Sequence, residues 1–321
     1  MLKLKNYLKD EEQRISDHLK KEILTLDPVV QPMVEHTLSA GGKRIRPFLT
    51  VLFGKLFGYT DPAVYSLASA VEFIHSATLI HDDIIDAADT RRGSPAAHLV
   101  FGAPQALLAG DVLLSAAMLL ALRLNNYKVM ECCATAVART AAGQLEETQN
   151  LRNPYLPFED YLHIITGKTA YLISCACESG AILAGASVEH CAAAAEFGLQ
   201  IGIVFQLVDD ALDIAPESEI GKPSGGDLRE GKFTPLLHFY LQALQAREAT
   251  NFAAKFAAGT LDEAELAAAL ADMRRLGCDA RTRALADRHL TLAEAALERL
   301  PAGTERDLLA KVAAYVRTRK L

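Results

Sequence analysis

Apolar residues recur every three to four positions along almost the whole chain, the period of helices with one buried face. The pattern predicts an amphipathic helix over Lys3 to Leu24 and a short one from about Val30 to Leu38. Ser39-Ala40-Gly41-Gly42 breaks it, and Pro47, taken as N1, opens the next helix, which ends near Gly58. Asp61 caps a long helix with Pro62 at N1, running to about Ala87. Thr90 to Pro104, rich in Gly, Pro and Arg, reads as a loop. Further helices are expected over Gln105 to Arg123, over Tyr127 to Asn150, from the Asn153-Pro154 and Pro157 turn to about Ala184, and over Val188 to Ile214. Ala215 to Lys232 is a polar loop with four glycines. Four or so helices complete the chain. Thr260-Leu261-Asp262-Glu263 reads as a capping-box start, and so does Thr304-Glu305-Arg306-Asp307 with Asp in place of Glu.

Composition sharpens this to an all-α protein. The chain has 321 residues, half of them hydrophobic, enough for a large core. Alanine is abundant, tryptophan is absent, and alternating β-branched runs are few. No repeat, linker or low-complexity tract divides the sequence, so residues 1–321 are read as one domain. A net charge of -7 argues against general nucleic-acid binding. The six cysteines show no C-x-x-C spacing and read as free thiols of a reducing cytoplasm. The N-terminus lacks an apolar signal core. The most membrane-like run, Ala106 to Leu122, is interrupted by Asp111 and reads as a buried core helix.

Two acidic clusters carry the candidate chemistry. Asp82-Asp83-Ile84-Ile85-Asp86 and Asp209-Asp210-Ala211-Leu212-Asp213 both read D-D-x-x-D within apolar surroundings. On a helix, the first and last Asp of each share one face, about 6 Å of rise apart. Both clusters end long helices, where carboxylates oppose the macrodipole. Both precede loops bearing cations: Arg91-Arg92-Gly93, then Lys222 and Lys232. One such cluster would read as a solvated helix end; two, each with a basic loop, point to hard divalent cations carrying a polyphosphate. Gly41-Gly42-Lys43-Arg44-Ile45-Arg46-Pro47 adds a third basic element, suited to phosphate. His75 lies two turns before Asp82 on the same face, while His81 and His98 carry no assigned role.

These segments together resemble the trans-isoprenyl diphosphate synthase (polyprenyl synthetase) family. The resemblance runs from G-G-K-R-I-R-P at 41–47 through D-D-I-I-D-A-A-D-T-R-R-G at 82–93, G-K-T at 167–169 and F-Q-L-V-D-D-A-L-D at 205–213 to G-K-P-S-G-G-D-L-R-E-G-K at 221–232. It implies a bundle of long helices around a deep central cavity, usually homodimeric. It implies that Asp82, Asp83, Asp86, Asp209, Asp210 and Asp213 supply the site for two or three Mg²⁺ ions. Arg91, Lys168, Lys222 and Lys232 would contact the allylic diphosphate. Lys43, Arg46, His75 and Arg92 would hold isopentenyl diphosphate. Lys168, Thr169 and Gln206 would serve catalysis, with Thr169 and Gln206 lining the reacting centre.

Product length is expected from Ala77 and Thr78, five and four residues before Asp82, where short-chain family members commonly carry bulky aromatics. Small residues here, and a first motif without a two-residue insertion, imply a deeper cavity and a long product of roughly C30 to C50. Ser115, Ala116, Met118 and Leu119 would form part of a deeper floor. Such a product implies transient membrane contact by an otherwise soluble protein. A short-chain farnesyl or geranylgeranyl synthase is the nearest alternative. A terpene cyclase would lack the second intact D-D-x-x-D, and a non-catalytic subunit of a heteromeric synthase would have lost Asp or basic residues. Gly143-Gln144-Leu145-Glu146-Glu147 matches the family pattern only in part and receives no catalytic role.

Overall fold

The computed structural model describes residues 2–39, 41–217 and 223–319. The chain is almost wholly helical, as its apolar period demands. The N-terminal helices are α1 (Leu2–Ile23), α2 (Gln31–Ser39), α3 (Ile45–Leu56) and α4 (Ala63–Ile85). A hairpin of β1 (Thr90–Arg91) and β2 (Ser94–Pro95), then α5 (Ala97–Phe101), α6 (Ala103–Arg123) and α7 (Tyr127–Gln149), follow. Next come α8 (Phe158–Ile165), a π-turn at Thr166–Ala170, α9 (Tyr171–Leu183) and α10 (Val188–Leu212). After α11 (Gly226–Glu230), the chain ends in α12 (Pro235–Ala243), α13 (Ala246–Ala258), α14 (Glu263–Arg275), α15 (Cys278–Glu298) and α16 (Thr304–Thr318).

Contacts divide the chain into two compact units. The first holds residues 1–137, 175–195 and 301–306; the second holds 138–174, 196–300 and 307–321. In the first, α4 is the central helix, packed by α1, α2, α3, α5 and α6. Leu67, Phe73, Ile74 and Ile80 of α4 are at most 1% exposed, and each buried side chain of this size contributes about 2 kcal/mol. The Asp61 carboxylate accepts the Ala63 N–H at 2.8 Å and so starts α4, one residue later than expected. Helix α3 begins at Ile45, before Pro47, whose missing N–H falls in the first turn where no partner is due.

In the second unit, α15 packs against α12 and α14. The sequence expectation needs correcting at four places here and upstream. Thr90 to Pro104 is not simply a loop: it contains the hairpin and α5. The segment expected as one helix to about Ala184 is interrupted by the π-turn. The polar loop before Lys232 contains α11. The capping box starting α14 uses Asp262 and Glu265, not Thr260 and Glu263.

Helices α4, α6 and α10 are long and apolar enough to cross a membrane by length and composition. In α4, however, 72% of the apolar window is already buried within the protein. The expected core helix α6 is less enclosed, 39% by the same measure, and Leu108, Leu119 and Leu122 are more than half exposed. All six cysteines are unpaired; Cys133, Cys175, Cys177 and Cys278 are buried, while Cys132 and Cys191 are half-buried.

Candidate functional site

The first carboxylate set ends α4. Asp82 is half-buried and Asp86 exposed, one turn apart on one face, while Asp83 is buried at 4% exposure. Asp83 faces the other way and accepts from Arg91, Nε at 2.9 Å and also Nη2. The hairpin delivers that arginine: Arg92 and Gly93 at its tip both have positive φ, 52° and 81°, the geometry that lets a two-residue turn match strand twist. Ala87, just after the helix, is also left-handed at φ 49°, a conformation that favours glycine.

Two turns back on α4, His75 sits in a strongly cationic cluster. Arg44, left-handed at φ 46°, is paired with Glu72, which is 3% exposed, and donates to the Leu38 carbonyl. Arg46 Nη1 donates to His75 Nε2 at 3.2 Å. Burial, then Arg46, Arg92, Arg44 and Arg91, push His75 well below its ordinary range, so it accepts as a neutral imidazole. Burial lowers Arg46 to about 10, against the pull of Glu72. Arg46 Nε is buried without a partner. A cluster of arginines around a neutral histidine is suited to an anion. Lys43 is exposed beside it, and Arg92 donates to the Gly41 carbonyl.

The second set lies in the other unit, at the end of α10. Asp209 keeps a side chain 38% exposed and accepts from Arg319 Nη2 at 2.9 Å. That guanidinium lies 4.3 Å from the centre of the Phe205 ring. Asp210 is 3% exposed and takes hydrogen bonds from Tyr161 and, at 2.9 Å, from Gln206 Nε2. Burial pushes it up to about 7, against those two bonds, with Asp209 and Asp213 adding to the rise. Asp213 accepts the backbone N–H groups of Gly226 and Asp227 at 3.0 and 3.2 Å, and so fixes the loop that leads to Lys232.

The π-turn carries Lys168 and Thr169. It forms where backbones come unusually close. A Cβ on Gly143 of α7 would stand 2.4 Å from the Lys168 nitrogen, and one on Gly202 of α10 would stand 2.4 Å from the Ala170 Cα. The two glycines pinch the turn from α7 and α10, and the extra residue it accommodates re-aims the two side chains. Thr169 Oγ1 donates to Gln206 Oε1 at 3.0 Å, and Lys168 is paired with Glu147.

Each carboxylate set, taken by itself, fits Mg²⁺. The water-reachable members are hard carboxylate oxygens, those of Asp82 and Asp86 in the first set and of Asp209 in the second. Among the described residues, no three His, Cys, Asp or Glu side chains form a preformed cage. Mg²⁺ is typically held by one or two carboxylates, with phosphate oxygens and water completing its shell.

Comparison with known proteins bears on this chemistry. The family model for polyprenyl synthetases matches residues 27–273. The chain belongs to the polyprenyl synthetase family. It is 34% identical over 327 residues to the short chain isoprenyl diphosphate synthase of Methanothermobacter thermautotrophicus, covering all of both chains. It is 33% identical over 314 residues to heptaprenyl diphosphate synthase component 2 of Geobacillus stearothermophilus, covering 97% of this chain and 96% of that one. Its fold matches the decaprenyl diphosphate synthase of Rhodobacter capsulatus with a TM-score of 0.92, at 34% identity and 99% coverage of both chains. A polyprenyl synthase from Caulobacter crescentus, complexed with calcium and isoprenyl diphosphate, matches at TM-score 0.92 and 35% identity, covering 98% and 97%. The fold is therefore the all-α isoprenoid synthase fold, and the protein is a prenyltransferase.

In this prenyltransferase the structure joins Thr169 to Gln206, Arg46 to His75 and Asp83 to Arg91. Lys232 pairs with Glu230. Lys222 lies outside the described residues. Ala77 is wholly enclosed, whereas Thr78 is half-buried and donates to the His75 carbonyl at 2.8 Å. Ser115 and Leu119 of the suggested floor are exposed, and Ala116 and Met118 are half-buried. Sequence reasoning gave no role to Tyr161 or Glu147. Glu147 was visible in the partial G-Q-L-E-E match. Arg319, near the C-terminus, reads from the sequence equally as part of a solvated tail or as a residue that helps close the substrate site; its side chain is only 12% exposed. Tyr161 carried no signal, because its partner lies 49 residues away.

Proposed function

We propose that this enzyme condenses isopentenyl diphosphate with an allylic diphosphate and elongates it to an all-trans polyprenyl diphosphate of roughly C30 to C50. The observation that carries chain length is the pair of small residues, Ala77 and Thr78, one turn before the first carboxylates on α4. A bulky aromatic there would stand behind the metal site and block a growing tail. Both carboxylate sets, with Asp82, Asp86 and Asp209 reachable by water, are proposed to hold on the order of two or three Mg²⁺ ions. Bound Mg²⁺ would neutralise charge on the departing diphosphate.

Arg91, Lys168, Lys222 and Lys232 bind the allylic diphosphate in this reading. The structure's partners of the described members, Asp83, Glu147 and Glu230, would then hold those cations until substrate arrives. Lys43, Arg46, His75 and Arg92 bind the diphosphate of isopentenyl diphosphate, where the four arginines around His75 favour an anion. The allylic C–O bond breaks and its electron pair leaves with diphosphate. The Thr169 and Gln206 dipoles flank the allylic cation. The double bond of isopentenyl diphosphate attacks it, and the released diphosphate takes the proton. We take residues 1–321 as one functional domain of a soluble, cytoplasmic homodimer that touches membranes at product release.

Purified protein incubated with Mg²⁺, labelled isopentenyl diphosphate and farnesyl diphosphate should give a product ladder that ends within this range. Ala77→Phe should shorten it. A wild-type product ending at farnesyl or geranylgeranyl length would establish the short-chain alternative, the product class named for the Methanothermobacter relative. Incorporation only after a second chain is added would establish a heteromeric synthase, as the heptaprenyl component relative suggests.

A further inference from the structure

We propose that Tyr161 is a positioning residue for the reacting centre, acting through Asp210 to fix the amide of Gln206 and, with it, the hydroxyl of Thr169. The proposal rests on the prenyl-transfer reading above, which gives Gln206 and Thr169 their place beside the allylic cation. Its physical basis is a line of four side chains within one compact unit. Tyr161 OH donates to Asp210 Oδ2, and Gln206 Nε2 donates to Asp210 Oδ1 at 2.9 Å. Thr169 Oγ1 then donates to Gln206 Oε1 at 3.0 Å.

Each link fixes the sense of the next. Asp210 Oδ1 accepts from Gln206 Nε2, so Asp210 holds the NH₂ end of Gln206. The amide oxygen must then point to Thr169 and take its hydroxyl proton. Thr169 is left presenting oxygen lone pairs rather than an O–H. The sign matters for catalysis: oxygen lone pairs stabilise a cation, whereas an inverted amide would present N–H groups. Preorganisation of this kind fails if the acceptor can swivel. Tyr161 supplies the second point of hold on Asp210. It is 3% exposed, with its ring 5.6 Å from Phe158 and 6.1 Å from Phe233, so the hydroxyl is delivered by a packed aromatic cluster.

This divides the second D-D-x-x-D by task. Asp210 has both oxygens engaged by the protein's own donors and is enclosed, so it positions dipoles. Asp209, with 38% of its side chain exposed, is the member placed for metal. The sequence alone gave Asp210 the same role as Asp209.

Tyr161→Phe removes the hydroxyl and keeps the ring. In steady-state assays kcat should fall about tenfold or more, the effect of losing a hydrogen bond to a charged group. KM for both diphosphates should stay within about twofold, since neither diphosphate touches the line. Calorimetric binding of Mg²⁺ with an unreactive allylic thiodiphosphate should be unchanged, whereas Asp209→Ala should weaken it. The double variant Tyr161→Phe/Gln206→Leu should be no slower than Gln206→Leu. A Tyr161→Phe kcat within twofold of wild type, or multiplying losses in the double variant, would overturn the proposal. So would weakened Mg²⁺ binding in Tyr161→Phe. If Tyr161→Phe melts early, Gln206→Leu alone serves: kcat should fall with analogue binding intact, and weakened binding would place Gln206 on the diphosphate instead. Wild-type inactivity toward both substrates would sink the functional reading itself, a result distinct from any of these.

Discussion

The two carboxylate clusters share a spacing and differ in nearly everything around it. At the end of α4, the buried Asp83 engages a cation, Arg91, brought by the β1–β2 hairpin. At the end of α10, the buried Asp210 is engaged by the neutral donors Tyr161 and Gln206. The third aspartates differ as well. Asp86 is exposed on the face of Asp82, whereas Asp213 is 7% exposed and is occupied by two loop N–H groups. One motif thus offers two outward carboxylates in the first unit and one in the second. Spacing sets which residues share a helix face; the donors beyond the helix set what each carboxylate does.

The largest expected effects test the outward members. Asp82→Ala and Asp209→Ala should each lower kcat about a thousandfold or more, the scale of losing charge stabilisation on a leaving group. Full activity in either variant, measured at saturating Mg²⁺, would refute its metal role. Asp83→Asn should be milder, about ten- to a hundredfold in kcat/KM for the allylic diphosphate. Its carboxylate aligns Arg91 rather than meeting substrate, so the loss should appear mainly in KM. A kcat loss in Asp83→Asn equal to that of Asp82→Ala would erase the division between inward and outward members.

That division could not be read from the sequence, and the reasons are local. The helical period made α4 and α10 legible to within a few residues, and with them the placement of both clusters. The hairpin was hidden because its strands are two residues each, too short to show alternation; the only sign was Arg92-Gly93. The π-turn was hidden because it depends on Gly143 and Gly202, which approach it from other helices. The capping box moved for a reason that was visible but outweighed. Gly259 ends α13 in the left-handed conformation, and the Thr260 N–H closes that end on the Lys255 carbonyl at 3.0 Å. Thr260 therefore finishes one helix and leaves Asp262 to start the next. Tyr161 was illegible for a deeper reason: a positioning residue is defined by what it touches, and its contact joins separate helices.

The smallest expected effects give the comparison a sign. In the cationic cluster of the first unit, burial and the surrounding arginines hold His75 well below 6.5. The unfolded chain therefore binds the extra proton below about pH 6.5, and the folded protein loses stability as pH falls through that range. In the second unit, burial raises Asp210 from 3.8 to about 7, and Asp227 moves the same way. There the folded state holds the extra proton between about pH 4 and 7, so stability is lost as pH rises. Each group contributes a slope of at most about 1.4 kcal/mol per pH unit, so the two oppose one another between about pH 4 and 6.5. Denaturant unfolding of the protein in chelator at several pH values separates them. Relative to wild type, His75→Asn should gain stability as pH falls, and Asp210→Asn should gain it as pH rises. Differences that run in the same direction for both variants would mean that the two clusters do not have opposite electrostatic surroundings.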